Sequence, residues 1–224
     1  MAGTMVTMTA ADGHEHQAYH VAAGGAARRG GLVVVQEIFG VNSHIRDVAE
    51  RFAAQGFEVY APALFDRVER DFETGYEPED IQTGVALMQK ADLANAVLDV
   101  QACVDALVGA GKVGVVGYCW GGTVTWATAC RATGVAACVP YYGGAIVNDL
   151  DLSPTCPVMM QFGEHDASIP IDKVAVIRER QPEPTYHLYD AEHGFNCDQR
   201  GSYNAAAAAL ALERTLEFFT THVG

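Results

Sequence analysis

The sequence predicts an α/β fold, in which a mostly parallel, doubly wound sheet is flanked by helices and preceded by an N-terminal β-hairpin. Three observations carry this. Leu32-Val33-Val34-Val35-Gln36 is a run of apolar residues ended by a polar one, the pattern of a strand covered on both faces. Lys112-Val113-Gly114-Val115-Val116 leads straight into Gly117-Tyr118-Cys119-Trp120-Gly121-Gly122, a strand that meets a helix through a glycine-bracketed turn. From there strands and helices alternate to the C-terminus, which argues for right-handed parallel crossovers.

Each element has a local reason. Residues 4–10 and 16–21 alternate in polarity around Asp12-Gly13 and predict the hairpin. Gly24 to Gly31 is a loop rich in Gly and Ala, followed by the strand 32–36. Asn42 or Ser43 caps a helix that Gly56 stops. Glu58 to Ala61 is the next strand, ended by Pro62, and 63–77 reads as an irregular excursion. Helices follow at 79–90 and 92–108, then strand 112–117, helix 120–132 and strands 136–141 and 157–163. Helix 170–181, strand 184–189 and a long helix over 202–221 complete the chain. The Ala205–Ala209 run is a good helix former on a packed face. With no linker and no internal repeat, residues 1–224 read as a single domain.

Composition narrows the function. Half of the 224 residues are hydrophobic and 19% are charged, which describes a chain able to bury a core. The net charge of −14 repels phosphate backbones and anionic membranes, so no nucleic acid and no membrane is expected as partner. No window of about 18 uninterrupted apolar residues is present, which predicts no membrane span. The six cysteines (103, 119, 130, 138, 156 and 197) form no C-x-x-C and no zinc-finger spacing. The first thirty residues lack a signal-peptide pattern, and a cytoplasmic protein with reduced thiols is expected. It is expected to be a monomer or small homo-oligomer.

The glycine-bracketed turn is the nucleophile-elbow pattern with Cys in place of Ser, and it specifies the α/β-hydrolase fold. A catalytic thiol needs a base, and the base needs an orienting group. In this fold the order along the chain is nucleophile, acid, His. Asp166 leaves the strand ending at Gly163, and His193 leaves the strand ending at Tyr189. Both fall at C-terminal strand ends, where α/β sheets carry their sites. His165 competes as base, but adjoins Asp166 in sequence, where side chains face each other poorly. The backbone N–H groups of Trp120 and Ile38 are the expected oxyanion donors. His14 and His16 share a strand face with Glu15 near, but no third metal ligand is visible, and both read as exposed hairpin residues. Gly109-Ala110-Gly111-Lys112 precedes a strand instead of following one, so it is no phosphate loop. No metal and no organic cofactor is implied.

Gln36-Glu37-Ile38-Phe39-Gly40, Gly117–Gly122, Tyr141-Tyr142-Gly143, Gly163-Glu164-His165-Asp166 and His193-Gly194-Phe195 together resemble the dienelactone hydrolase family (carboxymethylenebutenolidase-like). The resemblance implies a Cys-dependent hydrolase that opens lactones or small activated esters through a thioester, in the setting of aromatic compound degradation. It implies that Glu37 faces the resting Cys119 and takes the thiol proton when substrate arrives. A carboxylated lactone would need a cation, for which Arg200 is the candidate, with Tyr141, Phe39, Trp120 and Phe195 lining the pocket. Family members acting on dienelactone also carry an Arg after the second core strand. Glu77–Gly84 has none here, and Arg67 and Arg70 lie upstream as substitutes. Two other readings stand beside this one: a thioesterase or general carboxylesterase on the same triad, and a redox-responsive thiol or ligand-binding protein with vestigial catalysis.

Overall fold

The computed structural model describes residues 2–25 and 28–224; Ala26 and Ala27, within the Gly/Ala loop, lie outside the described residues. Eight strands form one sheet in the order β1-β2-β4-β3-β5-β6-β7-β8. The strands are β1 (Thr4–Thr9), β2 (Glu15–Val21), β3 (Gly31–Val35), β4 (Glu58–Pro62), β5 (Val113–Tyr118), β6 (Val135–Tyr141), β7 (Met159–Gly163) and β8 (Thr185–Tyr189). β1 and β2 form the antiparallel hairpin, and β2 joins the sheet antiparallel to β4. Every pairing from β4 to β8 is parallel. This is the α/β-hydrolase architecture that the apolar strand runs predict.

The helices are α1 (Ser43–Ala54), α2 (Pro78–Met88), α3 (Leu93–Leu107), α4 (Trp120–Arg131), α5 (Ile171–Arg180) and α6 (Ala205–His222). Side-chain oxygens cap three of them. Asn42 accepts from the Ile45 N–H, Asp92 from the Asn95 N–H and Asn204 from the Ala207 N–H. The last helix therefore starts at Ala205, later than the expected 202, because the residue that satisfies its open amides is Asn204. The excursion over 63–77 contains one short 3₁₀ turn at Leu64–Arg67.

β3 and β5 are buried along their whole length, since helices cover both faces. On one face Phe219 of α6 meets Phe52 of α1 and the following Phe57 with edge-on rings. On the other, α3 and α4 pack on each other and on the central strands. One continuous hydrophobic cluster runs from Ala18 to Val223. Leu93–Ala110 has a mean hydropathy of 1.4 and is long and apolar enough to cross a membrane. In the fold its Ala96, Val100, Cys103, Val104 and Leu107 belong to that cluster.

His16 departs from expectation. It is fully buried, not exposed, with Nε2 3.9 Å from Asp99. The cause is strand alternation: β2 buries the face that carries His16 and Ala18, which turns the ring toward Asp99, a buried carboxylate on α3. Arg67 clamps it with a two-pronged fork (Nε–Oδ2 2.8 Å, Nη2–Oδ1 2.7 Å) and reaches Asp12 with its other edge.

Candidate active site

The turn between β5 and α4 holds Cys119 at φ +57° and ψ −116°, a backbone conformation costly for any residue with a side chain. Glycine on either side makes it attainable. A Cβ at Gly117 would lie 2.2 Å from the Gly121 carbonyl oxygen, and one at Gly121 would lie 2.4 Å from that of Gln36. The Cys119 N–H donates to the Tyr141 carbonyl at 3.1 Å, while its own carbonyl accepts from Gly122 at 2.9 Å and opens α4. The side chain thus stands above the C-terminal edge of the sheet.

Two loops from the same edge complete the constellation. His193, after β8, puts Nε2 3.1 Å from Cys119 Sγ and Nδ1 2.7 Å from Asp166 Oδ2. Asp166, after β7, is buried, and its Oδ1 accepts the backbone N–H groups of Ser168 and Ile169 at 2.8 and 3.0 Å. Those two bonds fix the carboxylate, which in turn fixes the imidazole. The Tyr142 ring stands edge-on to His193 at 5.1 Å. Burial pushes the His193 pKa down, but the Cys119 sulfur and the Asp166 carboxylate outweigh it and hold it up at about 10. His165 is not part of this group. It is exposed and pairs with Asp190 at 2.7 Å.

A cavity of about 350 Å³ opens onto Cys119 and His193, and Ile38, Phe39, Trp120 and Arg200 contribute to its wall. Among the described residues the N–H groups of Ile38 and Trp120 have no hydrogen-bond acceptor, so both are open to an incoming oxygen. Trp120 is the first residue of α4, where the helix dipole adds to the pull on negative charge.

Glu37 and Arg200 differ from the expectation. Glu37 makes no hydrogen bond to Cys119: Oε1 lies 3.5 Å from Arg200 Nη1, and Oε2 is buried without a partner. The guanidinium draws the carboxylate one way while the imidazole draws the thiol the other. Arg200 also lies over the rings of Phe39 and Tyr76, at 5.5 and 6.0 Å. Beyond Glu37, His44 and Cys197 complete a buried set of carboxylate, imidazole and thiol groups whose ligand atoms lie within 4.8 Å of one another. Such a set suits Zn²⁺, but the Arg200 charge beside Glu37 opposes a cation there. Burial, with Glu37 beside it, pushes the Cys197 thiol up to about 12.

Tyr141 and Phe195 do not line the cavity. Both are fully buried: the Tyr141 hydroxyl bonds Thr215 at 2.7 Å, and Phe195 packs on Tyr142 and Tyr189. The sheet edge turns these aromatics into the core behind His193. Arg67 and Arg70 do not reach the cavity either; Arg67 holds Asp99 and Asp12, and Arg70 donates to the Glu15 carbonyl. The sequence reading missed Ile81, Val85 and Met88 of α2, which line the cavity with Phe39 and Trp120. Their i, i+4, i+7 spacing is a helical stripe and was the available signal.

The Dienelactone hydrolase family model matches residues 17–223. A Synechocystis sp. protein named "Putative carboxymethylenebutenolidase" is 35% identical over 212 residues, 86% of each chain. The carboxymethylenebutenolidase of Pseudomonas putida is 32% identical over 200 residues, 84% of each chain. A crystal structure from Klebsiella pneumoniae subsp. pneumoniae, named "Putative Dienelactone Hydrolase", superposes with a TM-score of 0.81 at 29% identity, over 98% of this chain and 100% of that one. A chain with this sheet, this elbow and these relatives belongs to the dienelactone hydrolase family.

Proposed function

We propose that this protein hydrolyses lactones or small activated esters through a thioester on Cys119. The observation that carries the proposal is the unbroken line Cys119–His193–Asp166, at 3.1 and 2.7 Å, at the wall of a cavity. The names of the relatives support the same reaction class.

The chemistry follows from the geometry. Cys119 attacks the acyl carbon as a thiolate, its proton held on His193 Nε2. The carbonyl oxygen becomes an oxyanion and takes the N–H groups of Ile38 and Trp120, donors already in place before the charge develops. The tetrahedral intermediate collapses, the C–O bond to the alcohol or enol breaks, and His193 gives its proton to the departing oxygen. Water then attacks the thioester, with the now neutral His193 as base, and returns the thiol and the free acid. Asp166 keeps Nδ1–H pointed at itself throughout, which leaves Nε2 for the sulfur. Glu37 pairs with Arg200 and holds it in the wall of the cavity.

Hydrolysis of an enol-lactone and of an aryl acetate, by wild type and Cys119→Ala, tests this. Cys-dependent turnover of at least one substrate is expected, with a loss on the order of 10³-fold or more in the variant. Rapid quenching is expected to show a protein mass increased by the acyl group. Turnover that survives Cys119→Ala removes the nucleophile from the proposal. Absent turnover with retained oxidation of Cys119 favours a redox thiol.

A further inference from the structure

The helix α2 faces the reacting sulfur with hydrocarbon alone. Ile81, Val85 and Met88 form one stripe along it, and all three line the cavity that holds Cys119. Ile81 is 36% exposed, a large apolar side chain at the surface of a helix that buries little but Gly84 and Leu87. Phe39 and Trp120, also apolar, line the same cavity. Among the described residues no carboxylate lines this space, and Arg200 is the one Lys or Arg that does. Arg200 is neutralised in place by Glu37 at 3.5 Å and pinned against two rings, so little of its charge is left for a substrate.

Gly84 sets the width of the space. A Cβ there would sit 2.3 Å from the Ile38 carbonyl oxygen, so the helix lies directly on the loop whose N–H faces the nucleophile. The stripe is therefore fixed along the cavity that holds Cys119.

We propose that the space beneath α2 is an apolar subsite that takes the uncharged alkyl or aryl body of the ester and rejects a carboxylate at that position. A carboxylate pressed against Val85 and Met88 would lose its water and find no partner. An apolar chain would gain from each methylene that leaves water. The subsite rests on the ester-hydrolysis reading of Cys119, and it names which esters the site selects.

The test compares p-nitrophenyl acetate, butyrate and hexanoate with p-nitrophenyl hemiglutarate, whose acyl chain ends in a carboxylate. A parallel series lengthens the alcohol at a fixed acetyl group. In one of the two series kcat/KM is expected to rise about fourfold per methylene, with hemiglutarate at least about tenfold below hexanoate. Val85→Thr keeps the shape and adds a hydroxyl; it is expected to lower the ratio of hexanoate to acetate turnover about tenfold. Ile81→Arg, at an exposed position, is expected to raise hemiglutarate turnover at least about tenfold. No dependence on chain length in either series, or a wild-type preference for hemiglutarate, overturns the subsite. Binding to Cys119→Ala gives an independent readout, with hexanamide and glutaramic acid as ligands followed by saturation-transfer NMR. Tighter hexanamide binding supports the subsite even if no ester is turned over, and in that case the hydrolysis reading alone falls. Equal or weaker hexanamide binding overturns it.

Discussion

His193 carries its proton more tightly in the fold than a free imidazole does. Burial opposes this, and the Cys119 sulfur and Asp166 carboxylate reverse it, so its pKa rises from the usual 6.5 to about 10. A raised value means that the stability gained from the charged ring is fully present below about pH 6.5 and lost as the pH climbs through about 10. The same ring protonates the leaving oxygen. Acylation is therefore expected to hold across neutral pH and to fall as the pH passes about 10, read from a pH profile of kcat/KM, which reports the free enzyme. A fall centred near 6.5 would show that the ring titrates as if free. At this scale the sequence is a good guide where chemistry follows chain order. Cys119, Asp166 and His193 are each legible because each leaves its own strand. The partnership of Glu37 with Arg200 is not, because 163 positions separate them and nothing local says which way either side chain turns. Tyr141 and Phe195 mislead for a related reason: a motif places a residue on a strand end but does not say whether its ring turns to the cavity or to the core.

Among the elements, α2 is held differently from the helices that cover the central sheet. α1, α3, α4 and α6 pack on strands, whereas α2 rests on the loop after β3. Asp80 secures its start, accepting the Glu77 N–H at 3.0 Å and the Thr74 hydroxyl. Gly84 is the point of closest approach. Gly84→Ala is expected to push the helix and the Ile38 loop apart, at a cost of about 1–3 kcal/mol from the backbone clash. Thermal denaturation and kcat for aryl acetate check this together: lowered stability with unchanged kcat would mean that the Ile38 N–H does not depend on α2. The sequence shows that this helix exists, since Pro78 at its first turn and the apolar spacing mark it. It does not show where the helix lies, because a helix that packs on a loop carries the same periodicity as one that packs on a sheet.

For the whole molecule, the net charge of −14 surrounds the cavity with a negative field that one paired arginine does not reverse. A carboxylated ester approaches against that field and a neutral one does not. Raising the ionic strength from about 0.01 to about 0.15 M shortens the screening length from about 30 Å to about 8 Å. The kcat/KM of the carboxylated ester is expected to rise severalfold over that range, with the neutral ester unchanged. A decrease for the carboxylated ester would show that Arg200 attracts it more strongly than the surface repels it. The fold itself is legible from the apolar runs of β3 and β5, which only a sheet covered on both faces accommodates. The burial of His16 is not, because the alternation of the hairpin does not say which of its faces the rest of the fold covers.

The placement of α2 has a consequence for how the protein changes over generations. The three reacting side chains stand on loops anchored to β5, β7 and β8, in the parallel part of the sheet. Three of the eleven residues of α2 line the cavity, and none of the eleven enters a strand pairing. Selection can therefore rewrite what enters the cavity by exchanging a few positions on one helix while the reaction is inherited intact. A library restricted to positions 81, 85 and 88 would explore that range at little risk to the fold.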